Sequence, residues 1–308
     1  MAPLTIGAMR NTTSTTRRRR RAAVAVGAAL AAVAVPAGVA LAVPAEGLSC
    51  GATVTTDVRL TADLVDCAGP GLVIGASGIE IDLDGHTIDG TGANAGIFNP
   101  EGHDALTIRG GTIQEFGQGV DLLESRGSRI DRLRVTANGI GIIVMRGDHV
   151  RVERVEADAN AFSGIEVLFS ENVTVERSTV TGHAFGGIID RVTIDSRYER
   201  NVVTGNAFFG MEMTQAEGAV VSRNEVSGNE FDGIRLGFWA TDVALERNVT
   251  SHNGTDGLVI EEAGNTVARH EAFENGGRGI AVVDGTVDGG RNTAAGNAGG
   301  DCVGLACN

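Results

Sequence analysis

Residues Asn160–Ser178 read NAFSGIEVLFSENVTVERS. A polar corner, Asn-Ala-Phe-Ser-Gly, leads into the alternating run Ile165-Glu166-Val167. A second alternating run, Val173-Thr174-Val175, closes on Glu176-Arg177. Alternation of apolar and polar residues over a few positions is the period of a half-buried strand. The skeleton returns in GHAFGGIIDRVTIDSRYERN (Gly182–Asn201) and in GNAFFGMEMTQAEGAVVSRN (Gly205–Asn224). Working outward, glycine followed by an apolar residue marks Gly96, Gly119, Gly141, Gly164, Gly187, Gly210, Gly233, Gly257 and Gly279, at spacings of 23, 22, 23, 23, 23, 23, 24 and 22. Gly71-Leu72 is a looser tenth anchor. A fixed period of this length is the signature of a solenoid.

Other rows lock to the same frame. Four residues before the anchor stand Asn160, His183, Asn206, Asn229, Asn253 and Asn275; two before it stand Phe162, Phe185, Phe208 and Phe231. Thirteen or fourteen after an anchor stand Arg132, Arg154, Arg177, Arg200, Arg223 and Arg247, all but Arg223 preceded by an acid. If each repeat is one coil, identical side chains stack. Asparagines then form an amide ladder, phenylalanines stack in the core, and the Arg/acid row forms a surface ion-pair network. Gly, Asn, Asp and Ser serve the corners. The expectation is an all-β parallel helix with strands about 4.8 Å apart. A leucine-rich repeat would want a leucine skeleton and a helical return arm, and a left-handed helix a six-residue subperiod; the chain has neither.

The chain ends carry separate signals. Arg17–Arg21 precede an uncharged Ala/Val-rich run, Ala22–Ala45, with small residues suited to cleavage before Val43 or Glu46. Residues 1–45 therefore read as an export signal, with a twin-arginine route open; a retained anchor is the alternative. No later stretch is apolar enough to span a membrane. The four cysteines form two local pairs, so export favours Cys50–Cys67 and Cys302–Cys307, while a zinc site of all four would require the ends of an elongated fold to meet. The expected organisation is an N-terminal cap over 46–70, the β-helix over 71–296 and a disulfide-bearing tail over 297–308. Residues 1–45 hold six of the 25 basic residues and none of the 39 acidic ones, which leaves a net charge of −20 and no lysine anywhere. Such a surface repels nucleic acid and anionic membranes.

The opening GLVIGASGIEIDLDGHTIDGTG (Gly71–Gly92), followed by coils of the form GI-x-V…N-V-T-V-x-x-N, resembles the secreted bacterial right-handed parallel β-helix repeat family of the pectate-lyase-like superfamily. The likeness spans about residues 48–300. It implies a right-handed single-stranded β-helix of about ten coils of about 23 residues. It does not fix an activity, because the family includes polysaccharide lyases, glycoside hydrolases, epimerases and copper-site accessory proteins. The acidic IDLDGHTIDG (Ile81–Gly90) resembles the family's opening coil and lacks EF-hand spacing, so it reads as structural.

Tested against those chemistries, the polygalacturonase set fails: Gly182-His183 is followed by Ala184, no paired Asp-Asp lies on a strand, and lysine is missing. His183 sits in the asparagine row and reads as a ladder member. No epimerase-type Tyr-Gly-Phe-Asp-Pro-His run occurs. A copper site needs clustered His, Met or Cys. Met211 and Met213 both face inward, and the other histidines occupy unrelated frame positions. A lyase needs carboxylates to hold Ca²⁺ on a uronate and an arginine as base. The outward row two residues past each anchor reads Asp121, Ile143, Glu166, Ile189, Glu212, Arg235 and Val259. Phe169 and Phe238 share a frame position, and Trp239 follows; exposed, they would suit sugar rings.

One coil breaks the pattern. Asp190 stands where its neighbours have Val167 and Met213, Ser196 replaces Val173, and Tyr198 replaces Val175. An unpaired inward carboxylate costs several kcal/mol. Either Asp190 is buried with a partner (Arg191, Ser196 or His183), or a one-residue bulge turns it outward and hands the core to Val192 and Ile194. The bulge is favoured. It would place Asp190 beside Glu166, Glu212, Arg191 and Arg235 as a catalytic face, with Phe169, Phe238 and Trp239 for carbohydrate binding. The sequence thus reads as a secreted solenoid that acts on or binds extracellular polysaccharide, as a lyase or a glycoside hydrolase, Ca²⁺ accompanying the lyase. The alternative is a non-catalytic binding or structural envelope solenoid.

Overall fold

A computed structural model describes Val43, Pro44 and residues 47–308. The export-signal expectation falls on residues 1–45, outside the described residues but for Val43 and Pro44. Among the described residues there is no helix long and apolar enough to cross a membrane. Every strand pairing is parallel. One sheet of 12 strands takes one strand from each coil, and a second assembly of 21 strands takes the other two. The result is the expected right-handed parallel β-helix, with about eleven turns rather than ten. The additional rungs lie at the ends. Ala52–Val54 pairs with Leu72–Ile74, and Cys302–Val303 pairs with Ile280–Val282.

The alternation of the quoted stretch becomes the core. Ile142, Ile165, Ile188, Met211, Ile234, Leu258 and Ile280 stack in register up the 12-stranded sheet, and all are buried. Each such side chain removed from water contributes about 1.5–3 kcal/mol. The anchor glycines are required by contact. A Cβ on Gly187 would lie 2.4 Å from Val203 Cγ1 and 2.6 Å from the Gly210 carbonyl oxygen.

The asparagine row is a hydrogen-bonded ladder, longer than the sequence reading had it. It runs Asn138, Asn160, His183, Asn206, Asn229, Asn253, Asn275 and Asn297. At each rung a backbone N–H donates to the side chain one coil on. From Asn206 upward the amides also donate to one another, at 2.8–3.0 Å. A second column, Asn201, Asn224 and Asn248, is built the same way. These bonds satisfy corner backbone that is sealed from water, where an unmade bond would be costly.

The arginine row falls on a corner. Arg132, Arg154, Arg177, Arg200, Arg223 and Arg247 all have φ between 51° and 58°. That left-handed conformation is disfavoured for a residue with a Cβ. Ion pairs surround the corner, among them Arg177–Glu176 at 3.2 Å, Arg200–Glu199 at 2.8 Å and Arg223–Glu199 at 2.7 Å. Both expected disulfides are present, Cys50–Cys67 and Cys302–Cys307. The phenylalanine rings pack in a row with centroids 4.3–5.7 Å apart, but only Phe185 and Phe208 stack face to face, and the row is not in the core. It occupies the turn before the 12-stranded sheet, and its end members Phe162 and Phe231 are 58% and 40% exposed. Two residues before a buried glycine, the chain is still outside the sheet, so these rings line a surface corner.

Candidate functional site

An open groove of about 550 Å³ crosses the outer face of the 12-stranded sheet. Its floor is the outward row of three successive strands: Glu212 and Thr214 from Met211–Glu217, Arg235 from Ile234–Leu236, and Val259 from Leu258–Ile260, with Glu261 just beyond. One wall is the phenylalanine turn, Phe208, Phe209 and Phe231, with Asp232, Thr255 and Asp256 beside it. Phe238 forms the other. It projects from the turn after Ile234–Leu236, in the coil whose anchor spacing is 24, and Trp239 there adopts φ 60°.

Arg235 is held from three sides. It donates to Asp232 Oδ2 at 2.9 Å and to Glu261 Oε1, and its guanidinium carbon lies 5.4 Å from the centroid of the Phe209 ring. Asp232 Oδ1 accepts from Thr255 Oγ1 and from the Asp256 N–H at 3.0 Å. Glu212 is one strand from Arg235 in register, yet it pairs backward with Arg191 at 3.0 Å. A planar guanidinium clamped by two carboxylates has little freedom to approach a substrate proton as a base.

The expected site residues therefore divide. Glu212, Arg235 and Phe238 line the groove, and Arg191 reaches it through Glu212. Glu166 does not: Ile189, only 1% exposed, stands between it and Glu212 in the same row. Phe169 lines a separate corner pocket of about 320 Å³ with Val192, Ile194 and Gln215. Trp239 is 68% exposed beside Phe238, outside the groove lining.

Asp190 corrects the favoured reading of the odd coil. No bulge turns it outward. It pairs in register with Val167 and Met213, is 0% exposed, and leaves Val192 and Ile194 on the surface. Its partners are not the three proposed from sequence. Thr193 Oγ1 donates to one carboxyl oxygen at 2.5 Å, and the Tyr198 hydroxyl donates to the other at 2.6 Å. Tyr198 is fully buried, in register between Val175 and Val221 of the two strands that flank its own. Burial pushes the Asp190 carboxyl up to about 6. As an interior group it cannot join an outer catalytic face.

The sequence reading missed Asp232, Asp256 and Glu261. Asp232 and Asp256 occupy the position just before an anchor glycine, where other coils carry Ser163, Gly186 and Phe209, so two successive acids there were the available signal. It also left unexplained a small pocket of about 170 Å³ formed by Pro70, Asn94, Phe98, Gln118 and Asp121. Asp121 Oδ1 is buried there without a partner, and burial raises its pKa.

No group of three or more His, Cys, Asp or Glu among the described residues is arranged to hold a metal ion. All four cysteines are in disulfides. Met211, Met213, His183 and His270 are buried in the core and its ladders, and His149 and His252 are each paired with a carboxylate.

A search of curated proteins finds no match. Among solved structures, the Dettilon tailspike protein gp208 aligns at a TM-score of 0.65 with 15% identity, over 82% of this chain and 60% of that one. The present chain thus spans about 60% of the tailspike's length. The A-module of the Azotobacter vinelandii mannuronan C-5 epimerase AlgE4 aligns at 0.55 with 15% identity, over 74% of this chain and 72% of that one. The periplasmic alginate epimerase AlgG aligns at 0.55 with 14% identity, over 76% and 73%. At such identities the likeness is one of fold. A profile described as right handed beta helix region matches residues 192–298. One described as periplasmic copper-binding protein (NosD) matches residues 77–241. The donor set does not fit copper, which favours clustered imidazole, thioether or thiolate ligands. The second profile nevertheless covers more than half of the chain and runs through the coils that carry most of the ladder and most of the groove, so the chain belongs to the family described as periplasmic copper-binding protein (NosD).

Proposed function

We propose that this protein is an exported solenoid that binds polysaccharide in the groove between the phenylalanine turn and Phe238. The observation that carries the reading is the pairing of aromatic walls with a polar floor. Ring faces suit the apolar faces of sugars, and carboxylates and threonine hydroxyls suit sugar hydroxyls. Two disulfides fit an oxidising compartment. Fold neighbours described as alginate and mannuronan epimerases support a polysaccharide partner in kind. Lyase chemistry is the less favoured form of the reading, because its base would be the clamped Arg235 and its leading carboxylate the buried Asp190. Glycoside hydrolysis is a second reading, favoured by Glu212, Asp232 and Glu261 lining one groove, since two carboxylates are what that reaction uses. The family's copper is not carried over to this chain.

The test is affinity electrophoresis of the full chain through gels containing a panel of polysaccharides, with reducing ends and unsaturated uronate assayed in parallel. Retardation without products is expected, and Phe238→Ala weakens it about tenfold, the loss of about 1.4 kcal/mol of stacking. New reducing ends without unsaturated uronate would establish hydrolysis, and the two together would establish a lyase. No retardation on any polysaccharide would refute the proposal.

A further inference from the structure

We infer that the groove takes an uncharged, hydroxyl-rich polysaccharide and excludes polyuronates. This rests on the polysaccharide-binding reading and names its substrate class. The groove lining contains four carboxylates, Glu212, Asp232, Asp256 and Glu261, and one guanidinium, Arg235. That guanidinium is already spent on Asp232 and Glu261. Arg191, on one neighbouring coil, is spent on Glu212, and Arg278, on the other, lies in the adjoining pocket and outside the groove lining. Among the described residues lining the groove, no cation is left to receive a substrate carboxylate. A uronate chain would bring further negative charge into a concave, already acidic site, where repulsion is less screened than on an open surface.

The same arrangement suits hydroxyls. Each of three carboxylates uses one oxygen inside the protein: Glu212 Oε2 on Arg191, Glu261 Oε1 on Arg235, and Asp256 Oδ1 on the Arg278 N–H. The second oxygen of each can accept from a sugar O–H, and a charge-assisted bond of this kind is stronger than a neutral one. The internal partners fix the carboxylates in place, so little side-chain freedom is lost when a sugar binds. Phe238, 63% exposed, and the adjoining rings of Phe208 and Phe231 supply apolar surface on either side. Such a site discriminates mainly by what it repels.

The experiment compares the full chain with Glu261→Gln in gels containing a neutral β-glucan or galactomannan, alginate or polygalacturonate, or a partly deacetylated chitin, at low and raised salt. Wild-type retardation is expected to be at least tenfold stronger on a neutral gel than on either uronate, and insensitive to salt. Glu261→Gln removes one carboxylate and frees one side of Arg235, so it should gain retention on the uronates. Uronate binding equal to or tighter than neutral binding would overturn the inference while leaving the polysaccharide reading intact. Retention on the amino-bearing gel alone that salt abolishes would overturn both, because it would mark diffuse attraction to the acidic surface and not binding in the groove. Retardation in no gel, by either protein, would sink both.

Discussion

Asp190 and Tyr198 act as one unit. Asp190 is an ionisable group inside a stack of Val, Ile and Met, and it persists because Tyr198 and Thr193 both donate to it. Its carboxyl titrates at about 6 when folded and near 3.8 when unfolded. A raised folded value means that its contribution is complete below pH ~4 and is lost as the pH climbs through about 6. The shift corresponds to about 3 kcal/mol. Asp190→Asn should therefore gain in Tm relative to the wild type between pH 4 and 6 and hold a constant difference above pH 7. His183 and His270, whose burial lowers them to about 4 and about 3, titrate alike in both proteins and cancel in that difference. A Tm difference that does not change with pH would show that Asp190 does not titrate in this range. Both exceptions, Asp190 for Val and Tyr198 for Val, were legible in the sequence. That they face each other was not, because the Tyr198 hydroxyl crosses the interior from a different sheet. The cost of an unpaired carboxylate then favoured an outward turn that the fold does not make.

At the scale of the element, the ladder is the feature best read in advance, and His183 is its weak rung. Its Nδ1 accepts the Asn160 N–H at 3.1 Å and its own N–H reaches Asn206, but Nε2 is buried without a partner. An amide there would accept from below and donate above. His183→Asn is expected to stabilise the protein by about 1–2 kcal/mol, seen as a higher urea midpoint at unchanged slope. A lower midpoint would mean that the imidazole ring is needed for packing. The rows were visible because a side chain repeated at one position of every coil must have one environment. Which environment was less visible. The phenylalanines were placed inside, although the turn before the anchor glycine carries them out. The arginines announced ion pairs but not their left-handed backbone. The groove was harder still. Its floor residues Glu212 and Arg235 lay in the outward row, whereas Asp232 and Glu261 became its chemistry only through contacts one coil away.

For the whole solenoid, each coil touches mainly the coil before and the coil after, so stability is a sum of neighbour terms and the ends are its weak points. Each disulfide lies at an end. Cys50–Cys67 closes 17 residues and Cys302–Cys307 closes 5. On loop entropy the first should contribute about 3 kcal/mol and the second about 2. Replacing Cys50 and Cys67 by Ser should thus cost more than replacing Cys302 and Cys307. Hydrogen exchange should show the loss as fraying at Ala52–Val54, with the coils around Gly187 still protected. Uniform loss of protection along the chain would argue for all-or-none unfolding instead. The ladder has a further consequence at this scale. From Asn206 to Asn275 each side-chain amide accepts from the coil before through its oxygen and donates one N–H to the coil after, so this run of bonds is polarised with its positive pole at the C-terminal end. That pole meets the carboxylate of Asp301, which accepts from Asn297 Nδ2 at 3.0 Å. A row of neutral side chains thus ends as the N-terminus of a helix does, in a partial charge neutralised by an anion.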